Sequence, residues 1–226
     1  MKVLLLGATG LTGGIALNEL LARDEVESVV VLVRKPLKIV HSKLRQQEVD
    51  FDLMEDHARL FEVNVIMCCL GTTIKKAGSQ EQFRKVDHGY CLKAAELGRA
   101  AGAQAFILMS AIGSSSSSTI FYNRVKGELE NGVKGLGYPY LSIYHPSLLL
   151  GNRPESRLGE AMGAKAMPLI NRALFGPLEK YRGIEAAKVA RAMVNEACSL
   201  ASESAAEQVV QIREYQDIVG LADQTT

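Results

Sequence analysis

A tyrosine and a lysine four residues apart are the side chains in this sequence best suited to proton transfer. Tyr122 and Lys126 lie in the segment Phe121–Glu130, which has helical character, so this spacing places both side chains on one helix face. A free tyrosine has a pKa of about 10, and a neighbouring ammonium stabilises the phenolate. The pair could give a proton to a carbonyl oxygen, although the same spacing is common in helices without such a role.

A glycine-rich turn at the start of the chain could bind phosphate groups. The apolar run Lys2–Leu6 predicts a strand and Ile15–Leu21 predicts a helix, with glycines at positions 7, 10 and 13 between them. These glycines allow a tight turn, close approach of a pyrophosphate and helix–strand packing, respectively, and the helix N-terminus favours an anion. The order favours a dinucleotide site over a tight turn in another kind of α/β protein. The predicted phosphate-binding residues are Gly7, Thr9, Gly10, Leu11, Thr12 and Gly13.

The end of the second strand bears on which cofactor binds. The β-branched run Ser28–Val33 predicts a buried parallel strand, and Arg34 and Lys35 follow it. An acidic residue near this position favours NAD, whereas an arginine accommodates the 2′-phosphate of NADP. The sequence therefore predicts NADP(H), unless the two basic residues are only a solvated pair at a strand end.

Two further strand ends could contact the same cofactor. Residues 44–50 predict a third strand that ends at Asp50 and Phe51, which could meet the adenine or could be ordinary turn residues. Residues 63–70 predict a fourth strand, and its end, Leu70, Gly71 and Thr72, could pass beneath the cofactor.

Strands alternate with helices along the rest of the chain. The sequence predicts a helix over 80–101, strands over 104–109 and 140–144, a helix over 184–199 and a last strand over 208–212. This alternation predicts a single α/β domain, residues 1–226, built on a doubly wound parallel sheet of the Rossmann type. Glycines and prolines interrupt residues 146–183, which we expect to form a small substrate-side cap over the carboxyl edge of the sheet.

The motifs together resemble the atypical branch of the short-chain dehydrogenase/reductase superfamily. Within that branch the chain looks most like the Tat-interactive-protein group, whose members bind NADPH, in the strings Cys68–Thr73, Lys76–Gly78, Val125–Glu128 and Arg153–Arg157. The resemblance implies that Tyr122 is the general acid/base and that Lys126 binds the nicotinamide ribose and assists it. It also implies that a strand-end serine, Ser110, hydrogen-bonds the substrate oxygen.

Three positions depart from the pattern of many relatives. The residue two before Gly113 is Ala111 rather than serine, so one of the five serines Ser114–Ser118 could replace Ser110. Asp87 stands where an asparagine is frequent, and its charge would change a proton relay. His145 stands where many relatives have arginine, and we expect it to be a packed or hydrogen-bonded strand-end residue.

Composition limits the partners and the compartment. With 26 basic and 25 acidic residues the net charge is +1, which does not suggest nucleic acid or an anionic membrane. The apolar run before the glycine turn is too short for a signal peptide, and no run has the length of a membrane span. Four cysteines lack metal-ligand spacing, so we expect reduced thiols, no metal and a cytoplasmic protein.

Three functions fit these motifs. The first is an NADPH-dependent reductase of a small carbonyl-type substrate, with Tyr122 as proton donor. The second is an NADPH-binding regulatory or redox-sensing protein that has little catalysis and acts through protein partners. The third, a sugar-nucleotide epimerase or dehydratase, shares the fold and the tyrosine, but residues after 146 are few for a nucleotide-sugar pocket.

Overall fold

A parallel sheet forms the centre of the computed structural model, which describes residues 1–151, 174–200 and 208–224. The strands of this described part are β1 (Lys2–Leu6), β2 (Ser28–Val33), β3 (Leu44–Glu48), β4 (Val65–Cys68), β5 (Ala105–Met109), β6 (Tyr140–Tyr144), β7 (Leu149–Leu150), β8 (Ile184–Glu185) and β9 (Val209–Arg213). Seven of them pair in parallel in the order β3-β2-β1-β4-β5-β6-β9, and β7 pairs separately with β8.

Helices cover both faces of this sheet. The described helices are α1 (Leu11–Ala22), α2 (Ile74–Ala77), α3 (Gln80–Arg84), α4 (Cys91–Ala100), α5 (Phe121–Gly135), α6 (Ala186–Ser199) and α7 (Tyr215–Ala222), with 3₁₀ segments at Phe51–Phe61 and Gly176–Tyr181. Within the described ranges, no helix is long and apolar enough to cross a membrane.

The apolar runs of the central strands separate the core into two layers. Val3 and Leu5 of β1 face α1, α6 and α7, whereas Leu4 and Leu6 face α4, α5 and the first 3₁₀ segment. All four side chains are completely buried. A strand that is apolar at every position is stable only between two helical layers, so the predicted doubly wound parallel sheet is confirmed.

The prediction of one continuous helix over 80–101 was wrong, because the helix is interrupted. A π-helical turn, Lys85–Tyr90, separates α3 from α4, and it contains the buried carboxylate of Asp87. A π turn adds one residue per turn and frequently marks a functional site. The spacing of apolar residues could not reveal this turn, because the turn serves a polar side chain whose partners come from elsewhere in the chain.

The predicted cap, residues 146–183, lies partly outside the described residues, since 152–173 are not among them. Its two described ends meet each other. Leu149–Leu150 pairs with Ile184–Glu185, and the Ser147 hydroxyl donates to the carbonyl of Arg182. Gly151 lies against Leu11 at the start of α1. The cap prediction itself stays a prediction.

Close packing of α4 on the sheet generates the first testable prediction. A Cβ added at Gly98 would lie 1.9 Å from Ile66 Cδ1 and 2.7 Å from the Tyr138 hydroxyl, and both neighbours are buried. We expect Gly98→Ala to reduce the free energy of unfolding by about 1–3 kcal/mol, as overpacking does. Urea unfolding followed by circular dichroism measures this change.

Gly135→Ala is the matched control, because an added Cβ there meets no atom within 4 Å at the end of α5. Helix propensity predicts that this variant is stabilised, by up to about 1 kcal/mol. Equal unfolding midpoints for Gly98→Ala and the wild type would contradict the packing described for α4.

Candidate active site

The turn between β1 and α1 requires glycine at two positions. Gly7 has φ +83°, and a Cβ there would lie 2.4 Å from the carbonyl oxygen of Cys69 at the end of β4. A Cβ at Gly13 would lie 2.2 Å from the carbonyl oxygen of Gly7. The Gly10 N–H donates to that same oxygen at 2.9 Å. The backbone of this turn therefore packs directly on the neighbouring strand and on the first turn of α1.

The beginning of α1 has hydrogen-bonding groups available for an anion. Its N-cap residue is Gly10, so no side chain caps the helix. The side chain of Thr12 is only 2% exposed, yet its hydroxyl oxygen has no hydrogen-bond partner among the described residues. Unpaired buried hydroxyls are rare in folded proteins, and helix N-termini bind phosphates. Gly10 and Thr12 therefore fit the pyrophosphate of a dinucleotide. Thr9 and Leu11, the neighbouring residues of the turn, stay predicted phosphate-binding residues.

The two basic residues after β2 are accessible. Arg34 and Lys35 are exposed, and neither forms a salt bridge within the described part of the chain. Gln46 of β3 holds the loop that follows them, since it accepts from the Leu37 N–H at 2.7 Å and donates to the Ile39 carbonyl at 2.8 Å. Gln46 was not identified from the sequence, because a strand glutamine gives no pattern that distinguishes it.

Asp50 and Phe51 lie at the carboxyl edge of the sheet, where the 3₁₀ segment begins. The Asp50 carboxylate accepts from the Asp52 N–H at 3.0 Å, and the Phe51 ring lies 5.4 Å from the ring of Tyr90. The Tyr90 hydroxyl donates to Asp52 at 2.8 Å. Asp50 therefore caps its own segment, and the predicted contact of Asp50 and Phe51 with adenine remains a prediction.

The end of β4 approaches a buried ion pair. A Cβ at Gly71 would lie 3.1 Å from Asp87 Oδ1 and 3.8 Å from Lys126 Nζ. The Thr72 N–H donates to Asp87 Oδ2 at 2.7 Å. The Leu70 carbonyl accepts from the thiol of Cys91 at 3.6 Å. The predicted cofactor segment 70–72 is thus fixed against the same carboxylate that binds the candidate catalytic lysine.

The ion pair joins the π turn to α5. Lys126 Nζ lies 2.9 Å from Asp87 Oδ1, and the two side chains are 5% and 1% exposed. Burial alone would lower the pKa of the Lys126 ammonium, but the negative charge of Asp87 and its hydrogen bond outweigh burial, so the pKa of Lys126 is raised. Lys126 is therefore a permanent cation at neutral pH, and its charge is balanced by a carboxylate.

Tyr122 lies in the first turn of α5, on the same side as Lys126. Its ring packs on the buried ring of Phe83, with centroids 5.5 Å apart, and its hydroxyl is near enough to Lys126 to interact electrostatically. The described residues offer that hydroxyl no hydrogen-bond partner. Tyr122 and Lys126 are thus brought together as the spacing predicted, and Phe83 and Asp87 support them from the α3 side.

Ser110 also lies at this edge of the sheet, but its hydroxyl points to a buried carboxylate. It donates to Glu130 Oε1, and the same oxygen lies 2.8 Å from His145 Nε2. His145 is therefore a hydrogen-bonded strand-end residue, as predicted. Glu130 was not singled out from the sequence, although its position four residues after Lys126 places it on the same helix face.

Comparison with known proteins identifies the family of the chain. Residues 7–137 match the protein family described as NAD(P)H-binding. The chain is 39% identical to protein HTATIP2 of Rattus norvegicus over 168 residues, which cover 73% of this chain and 69% of the rat protein. It is 37% identical to the mitochondrial protein FMP52 of Meyerozyma guilliermondii over 194 residues, which cover 84% of each protein.

Solved structures share the fold at lower identity. MoeE5 in complex with UDP-glucose and NAD superposes with a TM-score of 0.67 at 14% identity, covering 98% of this chain and 81% of MoeE5. The oxidoreductase ylbE from Lactococcus lactis gives a TM-score of 0.54 at 22% identity, covering 68% of this chain and 72% of ylbE. At these identities the likeness establishes the Rossmann-type fold alone.

The close packing of the glycine turn generates a prediction for NAD(P)H binding. In Gly13→Ala the new Cβ meets the carbonyl of Gly7, so we expect the affinity for NADPH and for NADH to fall about ten- to hundredfold. Isothermal titration calorimetry measures both affinities. Gly14→Ala is the control, because its Cβ would lie 3.3 Å from the nearest atom, the Ala8 carbonyl oxygen, which would have to move by only a few tenths of an ångström. An equal loss in both variants would contradict the role assigned to Gly13.

Proposed function

The chain belongs to the NAD(P)H-binding family, in the atypical branch of the short-chain dehydrogenase/reductases, and we propose that it is an NADPH-dependent oxidoreductase. Its substrate in this proposal is a small carbonyl compound. Tyr122 gives a proton to the carbonyl oxygen and Lys126 assists Tyr122. The proposed reaction converts the carbonyl to an alcohol, with one hydride added to carbon and one proton added to oxygen.

The observation that carries the proposal is the buried Lys126–Asp87 pair beside Tyr122. Removing two charges from water is costly, and apolar side chains of similar size would stabilise such a site as well or better. A charged pair at the carboxyl edge of the sheet, against the predicted cofactor segment, is better explained by catalysis than by stability.

Each residue has a separate task in the proposed reaction. NADPH, when bound, supplies the hydride. The Tyr122 hydroxyl donates its proton to the substrate oxygen as negative charge develops there. Lys126 stabilises the negative charge that Tyr122 then carries. Asp87 holds the ammonium in place, and Phe83 fixes the plane of the Tyr122 ring.

The preference for NADPH over NADH is part of the proposal. It rests on Arg34 and Lys35, which are exposed at the end of β2 where a 2′-phosphate would lie. The residues that we propose hold the cofactor are Gly7, Thr9, Gly10, Leu11, Thr12, Gly13, Arg34, Lys35, Asp50, Phe51, Leu70, Gly71, Thr72 and Lys126.

The remaining expectations are proposals of the same kind. We propose that residues 146–183 cover a small-molecule substrate, and that neither nucleic acid nor membrane is a partner. We also propose the cytoplasm as the compartment, which the four free thiols fit. The FMP52 relative is named mitochondrial, so cell fractionation is the direct test of this point.

Loss of the Tyr122 hydroxyl tests the proposed activity. We expect Tyr122→Phe to lower the rate of NADPH oxidation about 10²- to 10⁴-fold, because the proton donor is removed. NADPH affinity should stay within about twofold of the wild type, since the Lys126–Asp87 pair is retained. The assay follows nicotinamide absorbance with a panel of aldehydes, ketones and quinones.

Tyr215→Phe is the control, since it removes a hydroxyl from the first residue of α7. Turnover that survives Tyr122→Phe would show that Tyr122 is not the proton donor. If NADPH binds the wild type tightly but no compound is reduced, the regulatory function, with protein partners, replaces the reductase.

Charge reversal at Arg34 tests the cofactor preference. We expect Arg34→Glu to weaken NADPH binding roughly ten- to hundredfold and NADH binding much less, because only NADPH has the 2′-phosphate. Calorimetric titration with each cofactor measures the difference. Arg59→Glu is the matched control, because it reverses the charge of another exposed arginine. Arg59 lies shortly before β4, at the opposite edge of the sheet. Equal losses for NADPH and NADH in Arg34→Glu would remove the argument for the phosphate contact.

A further inference from the structure

Three side chains from three elements meet around one buried carboxylate oxygen. Ser110 follows β5, Glu130 lies on α5 and His145 follows β6. Ser110 Oγ and His145 Nε2 both hydrogen-bond to Glu130 Oε1, the latter at 2.8 Å. Ser110 and Glu130 are 5% and 4% exposed, so water has little access to this contact. The cluster lies beside the candidate active site, yet the proposed reaction does not use it.

The direction of these hydrogen bonds follows from the charge of Glu130. Burial would raise the pKa of the Glu130 carboxyl, but hydrogen bonds from His145 and Ser110 outweigh burial, and its pKa is lowered. An ionised carboxylate has no proton to give, so both neighbours must donate to it. Ser110 has only one hydroxyl proton, and that proton is directed at Glu130.

The oxygen of Ser110 is then free only to accept a hydrogen bond. Ser114 Oγ lies 3.1 Å from it and 2.7 Å from the Ala111 carbonyl oxygen, so the single hydroxyl proton of Ser114 is shared between these two acceptors. Ser110 therefore connects Glu130 to the start of the serine loop, residues 111–118.

That loop is packed on the helix that carries Tyr122. The Ser115 N–H donates to the Asn123 carbonyl at 3.0 Å, and Arg124 donates to the Ser118 carbonyl at 2.9 Å. A Cβ at Gly127 would lie 2.2 Å from the Ser115 carbonyl carbon, so α5 and the loop are in direct backbone contact. The position of the loop therefore affects the first turn of α5.

We infer that Glu130 holds the hydroxyl proton of Ser110, so that Ser110 positions the serine loop beside Tyr122 and does not donate to the substrate oxygen. Glu130 and Ser110 are thus positioning residues, and Tyr122 is the hydroxyl that retains a proton for the substrate. The part of this inference that concerns substrate rests on the proposed function. The part that concerns the proton of Ser110 does not.

A double-mutant cycle tests the contact without any substrate. We expect Ser110→Ala and Glu130→Gln each to raise the equilibrium constant of unfolding of the full chain about ten- to hundredfold in urea. The double variant should fall short of the product of the two effects by roughly threefold to tenfold, because the amide oxygen of Gln accepts a weaker, neutral hydrogen bond from Ser110 than the Glu130 carboxylate does. Effects that multiply would overturn the inference.

Ser142→Ala is the matched control for this cycle. Ser142 is completely buried on β6, and its hydroxyl has no partner among the described residues, so its removal breaks no hydrogen bond and should not raise the unfolding constant. If Glu130→Gln does not fold, the rate of backbone amide hydrogen exchange in segment 111–118 tests the inference instead. It should be faster in Ser110→Ala and unchanged in Ser142→Ala, and unchanged exchange in Ser110→Ala would overturn the inference.

Steady-state kinetics test the part of the inference that concerns substrate. The assay uses NADPH and the compound of the carbonyl panel that is reduced most rapidly. We expect Ser110→Ala and Glu130→Gln to lower kcat by a similar factor, about tenfold, with little change in KM, because both disturb the same loop. If Ser110 donates to the developing oxyanion, Ser110→Ala lowers kcat about 10²- to 10³-fold and Glu130→Gln far less, which contradicts the inference. If the wild type reduces nothing, the proposed function fails, and the unfolding cycle still decides where the Ser110 proton lies.

Discussion

The buried ion pair between Lys126 and Asp87 is the constraint on which the rest of the site depends. Breaking such a pair leaves one charge buried without a partner, at a cost of about 3–5 kcal/mol, so α5 and the π turn must keep their relative position. The Thr72 N–H donates to the same carboxylate, which extends the constraint to the segment after β4. One carboxylate thus fixes the lysine, the helix of Tyr122 and the predicted floor of the cofactor site.

Two glycines let the backbone approach the ion pair and the end of β4 closely. Gly71 has no side chain to separate the β4 segment from the ion pair, and Gly7 has none to separate the cofactor turn from Cys69. The glycine turn and the catalytic candidates are therefore connected through the end of β4 by rigid backbone rather than by long side chains. This connection explains why glycines recur at the edge where a dinucleotide would have to approach closely.

The sequence was sufficient for the fold and for part of the site. Four features follow local patterns that one segment displays by itself: the apolar strands, the glycine turn, the last strand and the Tyr122–Lys126 pair. The remaining features have no such pattern. The Asp87–Lys126 contact joins residues 39 positions apart, and the Glu130 cluster joins Glu130 to Ser110 and His145, 20 and 15 positions away. The π turn depends on one added helical residue. Such contacts arise only when the sheet brings its strand ends together, so no local pattern predicts them.

Helix α5 carries two buried charges of opposite sign, four residues apart on one face, and a helix normally pairs such residues with each other. Lys126 instead pairs with Asp87, and Glu130 pairs with His145 at 2.8 Å and more distantly with Lys134 of the same helix at 4.0 Å. Because Lys126 takes its partner from the π turn and Glu130 takes its closest partner from the end of β6, the cation remains beside Tyr122 and the carboxylate remains beside Ser110. A direct Lys126–Glu130 pair would release both the π turn and the end of β6. The separation of the two charges is therefore what allows one helix to organise the proton donor on one side and the serine loop on the other.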